Sequence, residues 1–135
     1  YTVESGRARI INEGDDVTLI TYGMGVHWAK KVIADLPDVS IELIDLRTLL
    51  PWDKHTVEES VKKTGKVMIL HEDTLTGGIG AEISAHISEH CFQFLDAPVI
   101  RSASLDTPIP FAVNLEENFF QKDVFVIKLI ELAKF

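Results

Sequence analysis

Short runs of apolar, β-branched residues alternate along this chain with longer stretches of helical periodicity. Val17-Thr18-Leu19-Ile20-Thr21-Tyr22, Ile41-Glu42-Leu43-Ile44-Asp45-Leu46 and Val67-Met68-Ile69-Leu70 are bounded by turn signals and predict buried strands. After the first run, Gly23-Met24-Gly25 turns the chain into a helix. Val26, Ala29, Ile33 and Leu36 form its inner face, with Lys30, Lys31 and Asp35 opposite and Pro37 at its end. Asp53 is placed to cap a second helix, with Thr56 and Glu59 as a competing capping box one turn later. Val57 and Val61 face inward there, Lys62 and Lys63 suit the helix dipole in its last turn, and Gly65 stands at the C′ position. A third helical stripe runs through Ile79, Ile83, Ile87, Cys91 and Phe94.

The later third of the chain is less regular. Val99 to Ala103 predicts a further short strand, Leu115 to Phe120 a helical turn, and Asp123 the cap of a last helix through Phe125, Val126, Leu129, Ile130, Leu132 and Ala133. Near the start, Arg7 to Ile11 alternates weakly, as a short edge strand would, before the Gly14-Asp15-Asp16 turn. Strands alternating with helices imply an α/β fold with a mainly parallel sheet covered on both faces. Residues 16–135 are expected to form that sandwich. Residues 1–15 are expected to lead in from a missing preceding domain, because the chain starts at Tyr1 and its first residues are polar.

Composition narrows the function classes. A chain of 135 residues buries roughly 68% of its unfolded surface as one domain. The net charge of −8 opposes nucleic-acid binding, which needs a basic stripe. No apolar run approaches the ~20 residues needed to span a bilayer as a helix. The single cysteine, Cys91, has no internal partner for a disulfide, so a reducing compartment is expected.

Candidate chemistry gathers after Val67–Leu70. That strand delivers His71-Glu72-Asp73, followed by the glycine-rich Thr76-Gly77-Gly78-Ile79-Gly80. Ligands of open α/β sheets collect where strands end and helices begin. His71 beside Glu72 is therefore the acid-base candidate. A hydrogen-bonded pair fixing the loop, or a subunit contact, accounts for the same residues. The glycine loop lacks the lysine of a phosphate-binding loop, and Glu82 in the next turn opposes an anion. Gly23 and Gly25 hint at a dinucleotide fingerprint, but Trp28 stands where its third glycine belongs. His86 and His90, with Glu82 a turn earlier, have metal-ligand spacing without the intervening glutamate of a zincin. Partly buried helix-flank residues explain them as well.

Several stretches taken together carry a resemblance. They are Gly6-Arg7-Ala8-Arg9-Ile10, Ile44 to Asp53, Lys63-Thr64-Gly65, His71-Glu72 with Thr76-Gly77-Gly78, Ala97-Pro98 with Arg101, and Asp106-Thr107-Pro108 with Pro110. The chain resembles the C-terminal domain of the β subunit in thiamine-diphosphate-dependent first components of 2-oxo acid dehydrogenases. The 2-oxoisovalerate and pyruvate enzymes belong to that group, and transketolase carries a related domain. The resemblance implies a three-layer αβα sandwich on a five-stranded, mixed, mostly parallel sheet, of transketolase C-terminal type. It implies oxidative decarboxylation of a 2-oxo acid with acyl transfer to a lipoyl group.

It also implies that thiamine diphosphate and magnesium belong to the full-length enzyme. The Gly-Asp-Gly start of the cofactor motif is missing here, so no cofactor is expected on this piece, which is expected to be inactive alone. The implied partners are an α subunit or fused α-like domain, a second β subunit, and the basic peripheral-subunit-binding domain of the lipoyl acyltransferase. Asp96 and Phe135 are the positions the resemblance assigns to that last docking. His71, Glu72, Gly77 and Gly78 are assigned to an interface. A piece of such an assembly is expected to expose apolar surface and self-associate. The resemblance places the enzyme in the bacterial cytoplasm or the mitochondrial matrix. Two alternatives stay open: the C-terminal domain of a transketolase-like enzyme, and a stand-alone small-ligand-binding domain using His71, Glu72 and the Gly77–Gly80 loop.

Overall fold

The computed structural model describes residues 1–135. Five strands form one sheet: β1 (Arg9–Asn12), β2 (Val17–Thr21), β3 (Ile41–Asp45), β4 (Val67–Thr74) and β5 (Ile100–Ser104). Their spatial order is β1-β3-β2-β4-β5, with β1 antiparallel to β3 and every other pairing parallel. The helices are α1 (Met24–Asp35), α2 (Lys54–Thr64), α3 (Ile79–His90), α4 (Val113–Phe119) and α5 (Lys122–Ala133).

The three layers follow from strands that are apolar on both faces. Val17 and Leu19, Ile41 and Leu43, and Met68 and Leu70 face Ala29 and Val32 of α1 and Phe125, Leu129 and Leu132 of α5. Ile20, Ile44, Val67 and Ile69 face Val57 and Val61 of α2 and Ile83 and Ile87 of α3. A strand covered on both sides gains nothing from polar alternation, which is why β4 begins as an unbroken apolar run.

Local signals set most boundaries. Asp53 caps α2 by accepting from the Thr56 amide at 3.0 Å, and Thr56 donates its hydroxyl to the same carboxylate. The competing cap at Thr56 therefore does not form. Gly65 ends α2 at φ 70°, a conformation that costs little without a Cβ. Other boundaries differ from expectation. α1 buries Val32 fully as well, while Ile33 and Leu36 pack against the same core only partly buried. α3 stops at His90, and a 3₁₀ turn over Phe92–Phe94 throws Phe94 off the apolar stripe. α5 begins one residue before Asp123, with Gln121 in the cap position, so Asp123 lies in the first turn.

The segment 1–15 does not stand wholly outside the domain, because β1 pairs with β3 through Arg9↔Asp45 and Ile10↔Ile44. Asp53 ties that segment down further by accepting from the Ala8 amide at 3.0 Å. Burial alone would raise the Asp53 carboxyl; the amides of Ala8 and Thr56 and the Thr56 hydroxyl outweigh it and lower its pKa.

Candidate functional site

The connections give the sheet one switch point. β2 leads through α1 to β3 on one side, and β3 leads through α2 to β4 on the other. The crevice beyond the carboxyl ends of β2 and β4 is where such folds gather ligands. His71 to Thr74, expected in a loop, continue β4 instead, with an irregularity in the β5 pairing between Leu70 and Thr74. The Ser104 hydroxyl donates to the Glu72 carbonyl there.

His71 is 0% exposed. Its Nδ1 lies 3.1 Å from the Asp73 carbonyl, so Nδ1 carries the proton in the neutral ring, and Nε2 is left without a partner. The ring stacks on Tyr22 at 6.3 Å between centroids. Burial pushes its pKa below 6.5, against a smaller opposing effect from the Asp73 carbonyl and carboxylate. The glycines of the loop cover this ring. A Cβ on Gly78 would lie 2.5 Å from His71 Cε1, and one on Gly80 would lie 2.6 Å from Nε2.

The loop itself is held by Asp106, which accepts from the Thr76 amide at 2.8 Å and the Thr76 hydroxyl at 2.6 Å. Hydrogen bonding to that hydroxyl and amide lowers the Asp106 pKa. Gly77, at φ 78°, makes the turn that brings Gly78 to the helix cap. The first turn of α3 thus packs directly against an imidazole from within the domain. Glu72 is exposed, so the His71-Glu72 neighbours in sequence point to different environments.

The expected metal spacing resolves into a helix-helix contact. His86 Nε2 meets Glu58 Oε1 of α2 at 2.7 Å, stacks on His90 at 4.1 Å and meets Trp52 edge-on at 5.0 Å. Glu82 takes no part, and no three His, Cys, Asp or Glu side chains are grouped to hold a metal ion. Cys91 is fully buried, and burial raises its thiol pKa.

Asp96 and Phe135, thirty-nine positions apart by number, line one open groove of about 600 Å³. Ser84 and Ser88 of α3 form one wall, and Phe92, Leu95, Ala97 and Pro98 another. Phe92 and Phe135 are 75% and 71% exposed. The Asp96 amide donates to the Gly65 carbonyl at 2.8 Å, so the end of α2 fixes the acidic residue's place.

One polar cluster escaped the sequence pattern. Glu42, only 2% exposed, accepts from Ser60 at 2.5 Å and pairs with Lys63 at 2.6 Å, while Thr18 bonds Ser60 and Thr64 at 2.7 Å each. Lys63, expected to serve the helix dipole, has its pKa raised by the hydrogen bond to Glu42. The signal available was a glutamate inside a strand otherwise buried on both faces.

A mixed five-stranded sheet, helices on both faces and a glycine-covered β4–α3 corner define the class. The family model "Transketolase, C-terminal domain" matches residues 6–123, and the chain belongs to that family. Among individual proteins, it is 47% identical over 82% of its length to 2-oxoisovalerate dehydrogenase subunit beta 2, mitochondrial, of Arabidopsis thaliana. It is 42% identical over 100% of its length to 2-oxoisovalerate dehydrogenase subunit beta of Bacillus subtilis. The chain spans 31% and 42% of those two relatives. A solved structure titled "Split gene transketolase, inactive beta4 tetramer" superposes with a TM-score of 0.80 over 99% of this chain and 43% of that one. At 23% identity it speaks for the fold. No helix of the chain is long and apolar enough to cross a membrane.

Proposed function

We propose that this chain is the C-terminal assembly domain of a 2-oxo acid dehydrogenase first-component β subunit, in an enzyme that decarboxylates its substrate with thiamine diphosphate. The kinship with β subunits supports the parent enzyme. The observation that carries the assembly role is the groove shared by Asp96 and Phe135. Its exposed aromatic rings and its carboxylate suit a small basic module, the chemistry of the acyltransferase's peripheral-subunit-binding domain. The net charge of −8 would speed the encounter. An α subunit and a second β subunit are the remaining partners.

The residues here do not fit thiamine diphosphate. The reading is supported by the His71 ring packed against Gly78 and Gly80 at the start of α3, and by Glu82, whose charge in the first turn opposes an anion there. Calorimetric titration of residues 1–135 with thiamine diphosphate and magnesium is expected to give no binding heat; micromolar binding would overturn the assignment. For docking, the assembled full-length first component is titrated with the peripheral-subunit-binding domain. Asp96→Asn is expected to weaken binding about tenfold and flatten its salt dependence. Unchanged affinity sinks the docking assignment.

A further inference from the structure

A second groove, of about 540 Å³, opens at the switch point. Tyr22, Met24 and Trp28 from the β2 end and α1 form one side, and Phe119 and Phe120 after β5 form the other. Trp28 and Phe120 stack face to face, 4.0 Å between centroids at 6°, and Phe120 leans on the core ring of Phe125 at 6.2 Å. The aromatic wall is therefore fixed before anything binds. Glu72, Asp73 and Glu116 also line the groove, with no Lys, Arg or His among the lining residues. None of the three carboxylates has an ion-pair partner. Burial raises the pKa of Tyr22, and the neighbouring carboxylates of Asp73 and Glu72 raise it further.

We propose that this cleft receives an arginine carried on an apolar segment of a neighbouring subunit. The inference rests on the reading of the chain as an assembly domain. Arginine fits better than lysine, because a flat guanidinium stacks on fixed aromatic rings while its edge donates to carboxylates. The segment must be protein and apolar, because the cleft adjoins surface a small cation would leave in water. Ile109 and Glu116 line the groove, and between them along the chain Phe111, Val113 and Leu115 stand exposed. A protein segment covers both the charge and that surface.

The test uses the full-length enzyme. Glu72→Gln with Glu116→Gln alters two exposed side chains that make no hydrogen bond within the domain, so folding is unaffected. Sedimentation velocity is expected to show subunit association weakened about tenfold, with a flatter salt dependence. In parallel, p-benzoylphenylalanine at position 109 is expected to cross-link to an arginine-bearing peptide of another subunit, read by mass spectrometry. Unchanged association overturns the proposal, as does a cross-link within the same polypeptide or to a segment without arginine. Asp96→Asn separates the two readings. If it weakens docking of the basic module while the double variant changes nothing, the arginine cleft falls and the assembly role stands. If neither variant has an effect, both fall.

Discussion

His71 and Asp96 sit beside the two ends of the same helix and are used in opposite ways. The N-terminus of α3 closes over His71, whose ring is sealed by Gly78 and Gly80 and left neutral. Toward its other end, Ser84 and Ser88 open onto the groove where Asp96 meets Phe92 and Phe135 in solvent. By residue type, the first region looks like chemistry and the second like an ordinary loop. Burial and exposure weigh the other way: His71 is enclosed and Asp96 is open to solvent. A titratable group without water or substrate access becomes packing, while exposed aromatic rings around a carboxylate offer something to bind.

The largest effects should come from breaking the seal. His71→Ala removes a buried ring and its bond to Asp73 and is expected to cost about 2–4 kcal/mol of stability. Gly80→Ala gains helix propensity but drives a methyl against that ring, for a net loss of about 1–3 kcal/mol. The double variant should be more stable than the sum predicts by about 1–2 kcal/mol, since the new methyl enters the space the ring leaves. Denaturant unfolding of the four proteins measures this coupling. Strict additivity would mean the glycines do not cover His71 for the reason given.

Gly65→Ala joins the two regions. The backbone there is left-handed, and a Cβ would meet the Asp96 carboxylate and lie 3.1 Å from the Phe94 carbonyl. A stability loss of about 1–2 kcal/mol is expected from the conformation and the crowding. Docking should weaken as well, because Asp96 must move. Loss of stability with docking intact would separate the groove from the α2 terminus.

The sheet and its two covering layers were legible because a strand buried on both faces leaves an unbroken apolar run, and because Asp53 and Gly65 are strong helix punctuation. The surroundings of His71 were not. Adjacent side chains on a strand point to opposite faces, so His71-Glu72 reads as a pair in sequence and is none in space. Glycines that admit an imidazole look, as letters, like glycines that admit a phosphate. Asp96 and Phe135 meet only through the return of α5 along β5 and β4, which periodicity does not reveal. Their pairing came from resemblance alone. Trp28 excluded a dinucleotide site in the sequence, and in the structure it forms the wall of a different groove.

A smaller effect tests His71 through pH. Burial holds its folded pKa below 6.5, so the unfolded chain takes up the proton first as pH falls. The stability tied to the neutral ring is therefore complete above 6.5 and declines as pH drops through 6.5 toward the lowered folded value. Thermal unfolding from about pH 7.5 to about pH 5.5 should show this slope in the parent and lose part of it in His71→Leu. An identical slope in both would place the titration elsewhere.

The smallest effect belongs to the other end of α3. The Asp96 carboxylate is exposed, and what anchors the residue is its backbone amide, donated to Gly65. Asp96→Asn keeps that amide and the side chain's shape, so stability should change by less than about 0.5 kcal/mol. The same substitution removes the charge that faces the proposed basic partner, so its effect should appear in docking and in the salt dependence of docking. A fold left intact with a weakened partner is the reverse of what His71→Ala should show. If Asp96→Asn instead destabilises the domain by about 2 kcal/mol or more, as changes in a buried polar network do, Asp96 serves the fold and the contrast with His71 disappears.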